Sequence, residues 1–210
     1  MLAFLAASWQ NSAAAPETSG EKEPPAIARL SPGRLLVATG AITAPPFHRS
    51  VALITIYSEQ EGAVGLIINR PTQYPLSSVL PEIESLRGSG EMLYYGGPVS
   101  PRVMAVLVES DENLEENDGV FRVFGNVFFA VNKKVIHDAL KGKEKPARGY
   151  AGYAGWAPGQ LEEELARGDW SVEPATSEAV FSLFPDALWE QLRPGGKKEL
   201  WTMYIPRRLK

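Results

Sequence analysis

Two long apolar runs separated by a short polar loop constrain the fold of this chain most strongly. Residues 50–57 (SVALITIY) and 64–69 (VGLIIN) consist mainly of aliphatic and β-branched side chains, and the loop between them is polar and ends in glycine. Runs of this kind, joined by a short loop that contains glycine, predict a β-hairpin. Because neither run alternates between polar and apolar positions, we expect both faces of the hairpin to be covered. Arg70 and Pro71 are expected to end the second strand, since proline cannot donate to a sheet.

The rest of the body mixes strand and helix patterns. Residues 103–108 and 120–131 have strand patterns, the second interrupted by Gly125 and Asn126, and residues 77–86 have a helical pattern. Asn132 is expected to cap another helix. Several strands are separated only by loops of hairpin length, and regular β-α-β repetition is absent. The pattern therefore predicts an α+β fold with a mixed sheet rather than a doubly wound parallel sheet.

Residues 148–168 (RGYAGYAGWAPGQLEEELARG) form the most distinctive stretch. Glycines recur there at every third residue, each beside a tyrosine or tryptophan, and small residues let a backbone or a ligand approach aromatic rings closely. Tyr150, Tyr153 and Trp156 could therefore line a pocket. The alternative is a tightly packed turn with these aromatic rings in the core. Pro158 is expected at the first position of the helix that follows, where its missing N–H costs nothing.

The two ends of the chain differ from the body. Residues 1–7 are apolar and are followed by small residues at 13–15, an order that resembles the end of a secretory signal; the alternative is a disordered cytoplasmic leader. Residues 16–33 are rich in Pro, Glu, Ser and Gly and predict a linker. We therefore expect a leader over 1–33, too short in its apolar part to span a membrane, and one domain over 34–210. A basic cluster within the last 14 residues is interpreted as a solvated tail, with phosphate contact as the alternative.

The composition excludes several kinds of chemistry. The 210-residue chain has no cysteine, which excludes disulfides and thiolate sites, and only two histidines, which argues against a histidine-based zinc site. We expect no metal and no cofactor. The formal net charge of −4 does not favour a dedicated nucleic-acid binder, so we expect no specific binding of nucleic acid.

Three short constellations carry chemically useful side chains. His48 and Ser50 could act as base and nucleophile, but no orienting carboxylate can be identified, so we interpret them as a loop-to-strand anchor and assign no catalytic residue. Asn69 and Arg70 could bind an anion, or Asn69 could satisfy local backbone groups where the strand ends. The third constellation is the glycine-aromatic stretch described above. Together they supply the candidate ligand-binding residues Asn69, Arg70, Tyr150, Trp156 and Gln160.

Five segments, taken in order, resemble the AlgH/YqgE family of bacterial proteins: GRLLVAT (33–39), FHRSV (47–51), GAVGLIINRP (62–71), GGPV (96–99) and GYAGYAGWAPGQLEEEL (149–165). The resemblance runs from about Gly33 to about Arg193. It implies a single α+β domain with a curved mixed, largely antiparallel sheet flanked by helices. Relatives often carry Glu-His before the Gly-Ala of the hairpin, whereas Ser58 takes the place of that histidine here.

The family has been associated with transcriptional regulation of alginate production, and its molecular activity is not established. The resemblance, the acidic balance and the missing catalytic set favour a non-enzymatic regulatory or protein-interaction role with a protein partner, in the cytoplasm. The alternative function is a small-ligand-binding protein or an enzyme, with its site around GYAGWAPGQ and NRP. The alternative location is outside the cytoplasm, if residues 1–15 belong to a signal peptide.

Overall fold

The computed structural model describes residues 30–115, 118–142 and 145–196. Ten strands and five helices are present in this part of the chain. The strands are β1 (Arg34–Ala38), β2 (Val51–Ser58), β3 (Gly62–Ile67), β4 (Pro71–Pro75), β5 (Met92–Tyr95), β6 (Val99–Glu109), β7 (Val120–Phe124), β8 (Val127–Ala130), β9 (Ala147–Trp156) and β10 (Trp170–Pro174). The helices are α1 (Leu76–Val79), α2 (Lys133–Lys141), α3 (Gln160–Ala166), α4 (Ser177–Val180) and α5 (Pro185–Leu192), with a 3-10 turn at Glu84–Leu86.

The strands form one mixed sheet in the order β10-β1-β2-β3-β9-β6-β8-β7. All neighbours along this path are antiparallel. Strand β5 lies off the path, antiparallel to β4 and parallel to β9. The single α+β domain with a mixed, largely antiparallel sheet is therefore confirmed. No helix in the described part of the chain is long and apolar enough to cross a membrane.

The predicted hairpin is formed by β2 and β3, and both of its faces are covered. Leu53 and Leu66 pair across the two strands and belong to one buried cluster, while Ile54 and Ile67 belong to another. Successive side chains of a strand point to opposite faces, so both faces of this hairpin contribute to the core. Burial of both faces explains why the apolar runs in the sequence are nearly continuous.

The sheet curls around its first buried cluster. Residues from β1, β2 and β3 share this cluster with residues from β6, β7 and β8, and β7 lies against β2. Helices α4 and α5 contribute Val180 and Leu188 to the same cluster. On the opposite face, α3 covers the half that contains β1 to β3, and α2 covers the half that contains β6 and β8. Helices therefore flank both faces of the curved sheet.

Three local predictions need correction. The helix expected over residues 77–86 ends at Val79, because Pro81 keeps the preceding Leu80 out of the helical region. The second hairpin strand ends at Ile67, before Arg70, and Pro71 begins β4 as its first residue, a position that proline tolerates. The glycine-aromatic stretch is neither a turn nor a pocket wall along most of its length: it is β9, at the centre of the sheet.

Gly152 lets β9 change partners along its length. Along one edge, the first half of β9 pairs with β5 at Tyr150 and Ala151 and its last residues pair with β3, while β6 pairs along the other edge on both sides of Gly152. Between these halves Gly152 has φ +68°, and a Cβ atom there would lie 2.5 Å from the Gly97 carbonyl oxygen. Only glycine fits such a left-handed position against another backbone. Of the recurring glycines in the sequence, Gly152 thus permits a left-handed position in a central strand.

Some predictions fall on residues that the structure does not describe. These are residues 1–29 of the expected leader and the basic C-terminal residues. The expected leader also included residues 30–33, and Leu30 there is buried with the cluster under α3.

Candidate functional site

Asn69 anchors the loop that precedes β2. Its side chain is only 4% exposed. The Asn69 Oδ1 accepts a hydrogen bond from the Val51 amide at 2.8 Å, and its Nδ2 donates to the Arg49 carbonyl at 3.0 Å. Both bonds satisfy backbone groups where the strand begins. The contacts are those of a strand anchor, and the amide binds the loop rather than solvent.

Three guanidinium groups gather beside this anchored loop. Arg49 and Arg193 lie over the Trp189 ring, with their Cζ atoms 5.1 Å and 5.5 Å from its centroid. Arg70 donates to the carbonyl of His48. We call Arg49, Arg70 and Arg193 the arginine cluster. Trp189 is itself fixed, because its Nε1 donates to the Ala38 carbonyl at 2.7 Å.

The loop also has an unusual backbone conformation at its centre. Arg49 has φ +54°, a left-handed conformation that residues with a side chain seldom adopt. His48 is exposed, with its Nδ1 3.1 Å from the Ile42 carbonyl, whereas the neighbouring Ser50 is completely buried. This arrangement supports the interpretation of His48 and Ser50 as a loop-to-strand anchor.

Trp156 and Gln160 meet on the carboxylate of Glu164. The Nε1 atoms of Trp156 and Trp170 donate to Glu164 Oε2 at 2.9 Å and 2.8 Å. Gln160 Nε2 donates to Glu164 Oε1 at 2.9 Å, and its own Oε1 accepts from the Ala157 amide. Trp156 is 4% exposed and packs with Phe47 and Trp170. These contacts hold α3 against the end of β9.

The start of α3 differs from the sequence prediction. Pro158 does not occupy the first helical position, because α3 begins at Gln160. Gly159 intervenes with φ +79°, and the chain turns there through a hydrogen bond from the Gln160 amide to the Ala157 carbonyl. A left-handed glycine before the helix separates the proline from it.

A cleft of about 310 Å³ opens on a different part of the molecule. Its walls come from β5, from the start of β9 and from the connection between α4 and α5. Arg148 stands in this cleft with its Cζ 4.4 Å from the Tyr94 ring centroid. Its two terminal nitrogens donate to the carbonyls of Val180 and Ser182, both at 2.9 Å. Arg148 thereby fixes the end of α4 as one wall of the cleft.

Tyr150 lies beneath this cleft, in the cluster that the sheet surrounds. Its ring is 5.6 Å from that of Tyr94, and its hydroxyl is buried near Arg148. Burial raises the pKa of Tyr150, and the nearby Arg148 opposes this rise with a smaller effect. Burial also raises the pKa of Tyr94. The phenols therefore stay neutral over the whole physiological range.

Burial also raises the pKa of Tyr95 in β5. Tyr57, near the end of β2, is the fourth phenol with an elevated pKa. Burial raises the pKa of its hydroxyl, which also donates to Glu162 Oε1 at 2.7 Å, and the carboxylate raises it further. Since the folded state favours the neutral phenols, their contribution to stability is present below the unfolded pKa of about 10 and is lost as the pH rises above it.

We expect the urea midpoint of unfolding to fall as the pH is raised from about 8 to about 11. The Tyr57→Phe variant removes one of the four phenols with a raised pKa, so its midpoint is expected to fall less steeply over the same range. Urea titrations followed by circular dichroism measure both slopes. A midpoint that does not change for the parent chain would contradict the expectation.

The five candidate residues from the sequence do not converge on one pocket. Asn69 and Arg70 lie at the loop before β2, and Trp156 and Gln160 lie at α3. Phe47 and His48 connect these two places, because Phe47 packs against Trp156 and the His48 carbonyl accepts a hydrogen bond from Arg70. Tyr150 is apart from them, since it belongs to a different buried cluster from Trp156.

Several residues of functional interest were missed from the sequence. They are Arg49, Arg148, Trp189 and Arg193. No local pattern identifies them, because each depends on a contact between distant parts of the chain. The sequence offered one indication: Arg49 lies between His48 and Ser50, and the interpretation of that motif gave it no role.

The chain is similar to known bacterial proteins over most of its length. A sequence model of the AlgH-like family matches residues 35–195. A UPF0301 protein of Streptomyces coelicolor is 37% identical over 163 residues, covering 76% of this chain and 83% of that protein. A UPF0301 protein of Streptomyces avermitilis is 34% identical over 170 residues, covering 80% and 88%.

Solved structures agree with this result. The solution structure of the AlgH protein from Pseudomonas aeruginosa superposes with a TM-score of 0.65 at 28% identity, covering 83% of this chain and 94% of that one. The crystal structure of protein DIP2367 from Corynebacterium diphtheriae gives a TM-score of 0.62 at 26% identity, covering 83% and 91%. The resemblance found in the motifs is thus confirmed, and the chain belongs to the AlgH-like family.

Proposed function

We propose that this chain is a non-enzymatic protein-interaction protein that acts in regulation by binding a protein partner in the cleft beside Arg148. The observation that carries the proposal is the apolar rim of this cleft. Leu183 lines it and is 79% exposed. Large apolar side chains that face solvent next to a cleft are typical of interaction sites.

The interior of the cleft suits a side chain of mixed character. Leu76, Met92 and Phe181 supply apolar walls. Arg148 supplies a positive charge, and no carboxylate within the described ranges forms an ion pair with it. Arginine beside apolar and aromatic groups is a frequent composition of interface hot spots. The site therefore favours an acidic side chain that is flanked by apolar ones.

The strands beside the cleft favour an extended partner segment. β5 and β9 run parallel and pair at Tyr94–Tyr150 and Tyr95–Ala151. Met92 and Arg148 precede these pairs on the two strands, and both line the cleft. The opening thus lies at the starts of the two parallel strands. A short extended segment of a partner can lie along it with alternate side chains pointing inward.

Replacing Leu183 by aspartate is expected to weaken binding of such segments at least tenfold. Burying a leucine contributes about 1.5–3 kcal/mol, and about 1.4 kcal/mol corresponds to a factor of ten. Peptides selected from a displayed random library on the parent chain, with affinities measured by fluorescence anisotropy, provide the test. Selected peptides are expected to combine an acidic residue with apolar neighbours.

The Val79→Asp variant is the matched control. Val79 is also an exposed apolar residue, but it does not line the cleft. Both substitutions are at the surface, so we expect each to change the free energy of unfolding by no more than about 0.5 kcal/mol. Selected peptides that bind the Leu183→Asp variant as tightly as the parent chain would refute the proposed surface.

We place this role in the cytoplasm, with an exported protein as the alternative if residues 1–15 act as a signal. The alternative function is a small-ligand or enzymatic site around GYAGWAPGQ and NRP. Its residues are Asn69, Arg70, Tyr150, Trp156 and Gln160. It has less support, because Tyr150 and Trp156 belong to different buried clusters and the Trp156 N–H is bonded to Glu164.

A further inference from the structure

The arginine cluster does not line the cleft beside Arg148. Binding of a protein partner in that cleft therefore gives the cluster no role. Arg49 and Arg193 lie over one indole ring, and Arg70 is bonded to the residue that precedes Arg49. Two of these cations thereby share one ring, and the third is bonded to the loop that carries Arg49. Like charges held together in this way repel one another unless an anion joins them.

Within the described residues, a carboxylate neutralises only one of these three charges. Arg193 forms an ion pair with Glu190 at 2.7 Å. Neither Arg49 nor Arg70 forms an ion pair with any carboxylate of the described part of the chain. The cluster therefore has a positive excess, although the whole chain has a formal net charge of −4.

Arg49 carries its side chain at a position where the backbone conformation favours glycine. At φ +54° a glycine would be free of strain, whereas a residue with a Cβ atom is disfavoured. The buried Asn69 holds this conformation through the Arg49 carbonyl. Strained residues of this kind concentrate at binding sites, where the surrounding structure enforces them. What arginine offers over glycine here is a fixed, exposed guanidinium.

The chemistry of the cluster suits a phosphoryl group. A guanidinium presents a planar fork of N–H donors that matches phosphate oxygens, and several together match a dianion. The Trp189 ring orients two of these groups by cation–π contact, which reduces the loss of side-chain freedom on binding. We propose that the arginine cluster binds the phosphoryl group of a small phosphorylated molecule.

Pyrophosphate and inorganic phosphate are the probes, titrated at constant ionic strength with chloride as the balancing anion. Isothermal titration calorimetry measures affinity, and the Trp189 indole N–H resonance reports the location. We expect saturable binding of both probes, tighter for pyrophosphate, with a shift of that resonance. The Arg49→Gly variant is expected to bind about tenfold more weakly, because it loses hydrogen bonds to a charged group.

The Arg49→Gly variant also separates binding from folding. Glycine removes the backbone strain, so the thermal midpoint of this variant is expected to stay the same or rise. Ser100→Gly is the matched control, since Ser100 also has a positive φ, of +48°, and lies outside the cluster. It is expected to bind pyrophosphate as the parent chain does.

Four results would overturn the proposal. They are no saturable binding by the parent chain, unchanged binding by Arg49→Gly, equal weakening by Ser100→Gly, and a bound anion that leaves the Trp189 resonance unmoved. Duplex DNA that binds more tightly than pyrophosphate, with an affinity that falls steeply with salt, would also overturn the assignment to a small molecule. None of these results depends on the cleft beside Arg148, so the proposed function is tested separately.

Discussion

Replacing Trp156 by alanine is expected to lower the free energy of unfolding by about 3–5 kcal/mol. The indole is almost completely buried among Phe47, Trp170 and the helix α3, so its removal leaves a cavity in the buried cluster under α3. The Glu164 carboxylate also loses one of its two indole donors. Urea unfolding followed by circular dichroism measures the loss.

The Trp156→Phe variant separates packing from hydrogen bonding. It keeps an aromatic ring in the site but lacks the N–H group that donates to Glu164 Oε2. We expect it to cost about 1–3 kcal/mol, less than the alanine variant, because most of the apolar contact remains. An alanine variant as stable as the parent chain would show instead that the indole is kept for a ligand.

Replacing Gly152 by alanine is expected to lower the free energy of unfolding by about 2–5 kcal/mol. A left-handed backbone costs an ordinary residue roughly 1–2 kcal/mol, and forcing a methyl group into a packed site costs about 1–3 kcal/mol. Here the added Cβ would lie 2.5 Å from the Gly97 carbonyl oxygen and 3.0 Å from that of Val99. A domain of ordinary stability has only about 5–15 kcal/mol to lose.

Gly88→Ala is the control for the backbone contribution. Gly88 has nearly the same φ, +70°, but nothing lies within 4 Å of the position that its Cβ would take. Its substitution is expected to cost only the strain of the left-handed conformation, about 1–2 kcal/mol. Comparing urea midpoints of the two variants isolates the close approach of β9 to Gly97. Equal losses would mean that this approach is unimportant.

The parts of the fold that were predicted from the sequence are those with local causes. The β2–β3 hairpin has apolar runs and a glycine loop, and the cap of α2 is Asn132, whose Oδ1 accepts from the Lys134 and Val135 amides. β9 was missed because its glycines and aromatic residues resemble a turn. Its strand conformation depends on neighbours at β3, β5 and β6, which only the folded chain supplies.

In the candidate site, too, the residues with a local signal were predicted and those placed by distant contacts were not. Asn69 and Arg70 drew attention through their position after an apolar strand, and their backbone partners lie on the adjacent strand and loop. The position of Trp189 rests instead on its bond to the Ala38 carbonyl, near the opposite end of the described chain. Sequence spacing does not indicate such a long-range contact, so the position of Trp189 between the arginines could not be predicted.

The pairing of β1 with β10 sets the order in which this domain can be completed during synthesis. β1 leaves the ribosome first among the described strands, but Arg34 pairs with Pro174 and Ala38 with Trp170. One edge of β1 therefore stays open until nearly the whole domain has been translated. Unpaired strand edges invite association between chains. A chain truncated before Trp170 would keep that edge of β1 exposed, so we expect shortened forms to associate more readily than the finished domain.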